Sequence, residues 1–411
     1  MSSSATGARH RGWSGRNLRG SVLAALVAGA TGATAVDSLV WTGAQSALWA
    51  NTANWAGGAG SSAPTASTAA SLPASVPATG SNITLPSGAA ANGLDFAGSY
   101  TLTGGGLTLN GGAVAVAAGK TATLSTAFAT PGTFTKSGPG TLTIAGGSFS
   151  AGPVVVNADG ILQWSAGTFA ATNLQLNGGS GMAVDVGTFR ALRVNGIGID
   201  VANGSALDLT DNAMVVDYAG ASPLGGASGV RALIVSAYHG GDWLGPGIGS
   251  SLAWGTGGPS LAVGYAEAAE LLGPAGGSKD LGRGLTVDVD GTAVVVRTTL
   301  AGDADLSGDV GLNDLVRLAN HYGQLTGAGW YDGDFDYNGE VGLNDLVRLS
   351  NNYGSSVAGL FDSGADFAAD WAMVWEPAGG DLPAAVPEPG ALGLVGLVVG
   401  AALVRRRHVH H

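Results

Sequence analysis

The chain has 411 residues, of which 11% are charged and 72 are glycine, with no cysteine and a formal net charge of −12. So few charges among so many turn-forming residues argue against a helix-rich enzyme fold, and the lack of cysteine excludes disulfides and thiol chemistry, leaving packing or a metal as the available staple. Between Val36 and Val386 there are 28 acidic and 10 basic residues, a formal −18 that argues against nucleic acid as a partner and makes cations the natural complement.

At the N-terminus, Arg9, Arg11, Arg16 and Arg19 precede an apolar run at residues 22–27, and the small-residue pattern Ala33-Thr34-Ala35 follows. This is the layout of a secretory signal peptide, so residues 1–35 are set apart from the fold, cleavage is expected after Ala35, and the protein is expected to be exported.

Residues 36–206 are expected to form the main β body. Trp41, Trp49 and Trp55 open it, and residues 56–80, rich in Ala, Ser, Pro and Gly, read as a loop. Short alternating runs then follow at 100–102, 107–109, 113–116, 141–144, 154–156, 161–164 and 174–176, each bounded by turn residues. Glycine clusters at 104–106, 111–112, 146–147 and 178–179 recur at similar phase, as corners would where successive rungs stack without Cβ clashes. The fold expected is mainly β, a right-handed β-solenoid, with a β-sandwich as the alternative. The segment Lys136-Ser137-Gly138-Pro139-Gly140-Thr141-Leu142-Thr143-Ile144 resembles the strand repeat associated with autotransporter passenger proteins. No membrane-barrel pattern follows it at the C-terminus, so the resemblance does not extend to self-translocation.

Residues 207–300 read as an α+β connector containing a hairpin of 285–289 with 293–298. The cluster Tyr238-His239-Gly240-Gly241-Asp242-Trp243 reads as a packed loop rather than a site.

The sharpest signal is an internal repeat 31 residues apart: residues 302–323 and 333–354 are identical at 16 of 22 positions. In the first copy Asp303, Asp305, Ser307 and Asp314 fall at positions 1, 3, 5 and 12 of a twelve-residue calcium loop, with Gly308 at position 6 and the Asp309 carbonyl at position 7. In the second copy Asp334, Asp336, Asn338 and Asp345 do the same, with Gly339 and the Glu340 carbonyl. A hard cation needs several oxygens converging from one tight turn, and nine carboxylates between Asp303 and Asp345 face only Arg317 within that stretch; two calcium ions are the expected cofactors. After each loop, Leu312, Leu315, Val316, Ala319 and Tyr322, and then Leu343, Leu346, Val347, Ser350 and Tyr353, trace one helix face expected to pack the two helices together. No helix enters either loop, because 293–300 reads as strand. The loop-helix pair at 301–356 therefore resembles the type I dockerin family, which implies a calcium-dependent protein-binding module. Gly311 and Gly342 at position 9 leave that ligand to water. Leu312-Asn313 and Leu343-Asn344 depart from the hydroxyl residues common at dockerin contacts with cohesins.

Residues 357–385 read as a linker. Val386-Pro387-Glu388-Pro389, the uncharged stretch 390–404 and Arg405-Arg406-Arg407 resemble a PEP-CTERM sorting signal, which implies a transient membrane segment over 386–407, a tail at 408–411 and placement at the cell envelope or surface. Outside the two ends only His239 and His321 remain as histidines, Asp95, Asp159, Asp185 and Asp200 are widely spaced, and Arg190 with Arg193 is the lone basic pair of the β region, so no acid–base constellation is expected. The reading is a non-enzymatic surface or extracellular-matrix protein, a β stalk carrying a calcium-dependent module for a protein partner; the alternative is a polysaccharide-binding or polysaccharide-degrading protein of a dockerin-type assembly.

Overall fold

The computed structural model describes residues 37–57, 62–157, 159–253 and 261–358. The expected signal peptide at 1–35, most of the expected linker and the expected sorting segment at 386–407 lie outside the described residues. Among those described, no helix is long and apolar enough to cross a membrane.

The β body is a solenoid of about seven turns, not a sandwich. Apart from the short Trp55–Ala56, each strand of the stack pairs in parallel with one a full turn away, a pattern that antiparallel sandwich sheets do not give. Along one side Phe134, Val154 and Leu174 are in register, twenty residues apart, and along another Leu142, Leu162 and Met182 are. A third side is short: Phe128, Phe149 and Phe169 pair in register and stack with ring centroids 5.3 and 4.5 Å apart, so identical apolar rings reinforce the repeat along the axis. Alternation decides what is inside. In Ile161–Ala170 the inward residues Leu162, Trp164 and Phe169 are buried while their neighbours face out.

The corners need glycine where rungs come closest. Gly167 has φ +79°, and a Cβ there would stand 2.1 Å from the Gly147 carbonyl oxygen of the rung before. At the N-terminal end Ser38–Trp41 pairs with Trp55–Ala56 antiparallel, and Trp41 and Trp49 pack edge-on against Trp55 at 5.0 and 4.7 Å. The stretch expected to be a loop contains a rung strand, Ala69–Leu72, paired in parallel with Ser38–Trp41 and Ala89–Phe96. Its alternation of buried Ala70 and Leu72 with half-buried neighbours is hidden in the sequence because alanine and serine carry little polarity contrast.

Lys136 is buried within this stack, its Nζ donating to the carbonyls of Ser137 at 2.9 Å and Gly138 at 2.7 Å. Burial pulls its pKa from 10.5 down to about 8. Between those values the unfolded chain binds more protons than the folded one, so stability rises with pH across that window. From pH 8 to 10, urea unfolding should show the native protein gaining on the order of 2 kcal/mol relative to a Lys136→Met variant; a constant difference would mean that the ammonium is solvated.

After Ala206–Asp208 the chain leaves the stack, contributes one strand, Ala213–Asp217, to a second sheet, and returns with Gly247–Gly249 as the terminal rung, parallel to Ala206–Asp208. Helix α1, Val230–Tyr238, lies on that rung and buries Val230, Leu233, Ile234 and Ala237. Its backbone comes so close that a Cβ on Gly247 would be 2.0 Å from the Leu233 carbonyl oxygen. The second sheet runs Ala191–Val194, Ala213–Asp217, Ala293–Leu300, Leu261–Glu267, and all eight residues of Ala293–Leu300 are buried. The hairpin expected of 285–289 with 293–298 does not form. Thr286–Val289 pairs with Gly277–Asp280 instead, because Ala293–Leu300, led by the apolar run of residues 293–296 and buried along its whole length, is drawn to the interior of the larger sheet. Helix α2, Ala268–Leu272, follows that sheet's edge strand. The repeat supplies α3, Leu312–His321, and α4, Leu343–Asn352.

Candidate metal centre

Each repeat loop folds its acids onto one point. Carboxylate oxygens of Asp303, Asp305 and Asp314 lie within 4.8 Å of one another, as do those of Asp334, Asp336 and Asp345, so each triad can hold a metal ion. The turn is made possible at two positions. Position 4, Leu306 and Tyr337, is left-handed with φ +59° and +63°, and position 6, Gly308 and Gly339, with φ +96° and +87°.

Backbone amides fix the carboxylates. Asp314 accepts from the amides of Ala304 at 2.8 Å, Asp305 at 3.2 Å and Gly311 at 2.9 Å. Asp345 accepts from Phe335, Asp336 and Gly342 at 2.8, 3.2 and 2.9 Å. The outer oxygen of Asp303 accepts from the Gly308 amide at 2.8 Å and from the Thr299 hydroxyl; that of Asp334 accepts from the Gly339 amide at 3.0 Å and from Arg231 Nη2 at 3.2 Å. The inner oxygen of Asp334 is buried and has no hydrogen-bond partner, which leaves a buried lone pair for a cation to satisfy. Ser307 Oγ sits 3.4 Å from Asp303 Oδ1, and Asn338 Oδ1 accepts from the Glu340 amide at 2.7 Å. Asp309 and Glu340 are exposed at the loop rims, their side chains outside the triads.

Burial makes these charges costly. It pushes the Asp303 and Asp334 carboxyls up to about 6, opposed at Asp303 first by Arg297 and at Asp334 first by the Gly339 amide. Asp314 is raised by burial and then by the charges of Asp303 and Asp305, and Asp345 by burial. A divalent ion relieves both the desolvation and the repulsion.

The two copies are bound crosswise. A Cβ on Gly302 would meet the Leu349 Cα of α4 at 2.9 Å, and one on Gly333 the Leu318 Cα of α3 at 3.0 Å. Val341 of the second loop exchanges backbone bonds with the segment after α3, Gly323 and Gln324; Val310 of the first loop does so with the segment after α4, Gly354 and Ser355. The buried helix face overlaps the expected one only in part, at Leu315 and Leu346. Leu315, Leu318, Leu346 and Leu349 are buried, while Leu312, Val316 and Leu343 are exposed, because the position-12 aspartates turn inward with the leucines that follow them.

The loops share a core with the second sheet. Trp330 Nε1 donates to the Asp303 carbonyl at 2.7 Å, and the Tyr337 hydroxyl donates to Val263 O at 3.0 Å and accepts from Val263 N at 3.2 Å. A Cβ on Gly264 would strike Leu306 Cδ2 and Trp330 Nε1, both at 2.6 Å. An arginine from outside the repeat stands behind each loop. Arg297 donates to the position-4 carbonyl of Leu306 at 3.2 Å and Arg231 to that of Tyr337 at 3.3 Å, while Arg231 Nε also donates to the Tyr265 hydroxyl at 3.0 Å. Neither arginine, nor Thr299, is legible as part of a site from the sequence: Arg231 lies 103 residues before Asp334, and Arg297 and Thr299 precede the twelve-residue loop pattern on a strand.

The other candidates are not brought together. His239 and Asp242 form a surface pair at 3.1 Å beside the end of α1. Arg190 lies over the Trp164 ring at 4.9 Å, Arg193 pairs with Asp217 at 3.2 Å, Asp185 accepts from Gln163 and Asp200 from Asn203.

Compared with protein-family models, with curated proteins and with solved structures, the chain matches none.

Proposed function

We propose that this chain is an exported, non-enzymatic surface or matrix protein, a β-solenoid stalk whose C-terminal end is held by two calcium ions. The observation that carries the reading is the pair of buried aspartate triads, each closed by its own backbone amides and one retaining a buried carboxylate oxygen without a partner. All-oxygen loops of this spacing suit calcium; Ser307 and Asn338 and the carbonyls of Asp309 and Glu340 complete the shell, with water at position 9. The coil is right-handed, the hand that parallel crossovers adopt. Export rests on residues 1–35, and envelope placement on the PEP-CTERM-like segment 386–407. The exposed Leu312, Val316 and Leu343 offer an outer face for a protein partner. Polysaccharide binding is the second reading, favoured by the outward file Thr101, Thr123, Thr143 and Gln163, in register on successive rungs.

Equilibrium dialysis of the full chain against calcium is expected to give two bound ions, retained in excess magnesium, whose demand for a tighter octahedral shell these loops do not meet. No bound calcium would refute the reading.

A further inference from the structure

Helix α1 stands between the terminal rung and the second repeat loop. Its apolar face, with Leu233 and Ala237 against Gly247 and Gly249, covers the strand at which the parallel stack ends. An uncovered edge there would present unpaired backbone groups to other chains. On its other side α1 meets the second half of the repeat: Arg231 Nη2 reaches Asp334 Oδ2 and the Tyr337 carbonyl, the Tyr238 ring lies 4.8 Å from Tyr337, and Arg348 of α4 donates to the Tyr238 hydroxyl at 2.9 Å. The first loop is held instead by Arg297 of the second sheet at the Leu306 carbonyl, by Thr299 and by the exit segment at Gly354 and Ser355, none of them on α1.

We infer that the cation of the second loop locks the helix that caps the solenoid, with Arg231 as the link, whereas the cation of the first loop holds the exit segment; this rests on the cation reading above. Asp334 serves both sides at once, its inner oxygen facing the ion and its outer oxygen holding Arg231. An ordered second loop therefore presents a fixed carboxylate and a fixed carbonyl to α1, and a metal-free loop, its buried charges uncompensated, holds them loosely.

The test is hydrogen exchange on the full chain in calcium and in chelator, with bound calcium counted in parallel. In the native protein, amides of residues 230–249 should exchange at least tenfold faster in chelator, while those of 134–176 keep their rate. In calcium, Asp336→Asn should lose the protection of 230–249, whereas Asp305→Asn should keep it and lose protection at 354–357. Arg231→Met, and Arg231→Lys as the milder change, should loosen 230–249 with the second ion still bound. Equal loss of 230–249 in Asp305→Asn and Asp336→Asn, or no response of that segment to calcium, would overturn the division of roles. The native protein alone decides the latter if the variants fail to fold. Absence of any bound calcium would instead overturn the cation reading itself.

Discussion

Transfer of the full-length protein from millimolar calcium into chelator is expected to destabilise the repeat module by about 3–4 kcal/mol per site, the linkage value for a ligand at 100 to 1,000 times its Kd. The size follows from what the ion compensates. Asp303, Asp314, Asp334 and Asp345 are all nearly or fully buried, and without a cation each loop gathers three carboxylates within 4.8 Å. Calorimetry should show a low-temperature transition that moves with calcium and a second, assigned to the solenoid, that does not, because the parallel ladders from Ala69–Leu72 to Gly196–Ile199 involve no ion. The double variant Asp305→Asn, Asp336→Asn should be insensitive to calcium, and in chelator at least as stable as the native protein, since it removes repulsion without changing shape. Identical melting in calcium and chelator would show that the triads are satisfied without metal.

Trp330→Ala is expected to be the most damaging single substitution in the module, costing about 3–5 kcal/mol. The indole is fully buried, packs edge-on against Phe335 at 5.0 Å and stacks on Tyr337 at 5.5 Å, and sits against the bare backbone of Gly264. Its Nε1 also holds the Asp303 carbonyl, so the first site should bind calcium more weakly in the variant. Leu325→Ala, at a side chain 71% exposed, is the control and should stay within about 0.5 kcal/mol of the native protein. Urea unfolding in calcium separates the two. A cost below about 1 kcal/mol for Trp330→Ala would mean that the module is not seated on the sheet through this residue.

The two acidic turns were legible because a loop of this spacing is local chemistry. Positions 1, 3, 5, 6 and 12 lie within twelve residues, so the spacing of Asp303, Asp305, Ser307, Gly308 and Asp314 carries nearly all of the geometry, and the second copy repeats it. The solenoid was legible for a related reason: alternation and corner glycines recur with each rung, and a rung contacts only its neighbours. The strand at Ala69–Leu72 escaped because alanine and serine blur alternation. Of the expected helix face, Leu315 is buried while Leu312 and Val316 are exposed, because the helical period tells which residues share a face, not how far round the helix the cover extends.

What the sequence by itself determined is therefore what is short-ranged: the parallel repeat, the two acidic turns and their glycines. Only the tertiary structure decided that Arg231 and Arg297 stand behind the loops, that Gly264 is bare so that Trp330 and Leu306 can close on it, and that α1 is wedged between the terminal rung and the second loop. Apart from Arg297, nine residues from Leu306, those contacts join residues tens to more than a hundred positions apart. No local pattern encodes them, because they depend on how two independently readable units are pressed together.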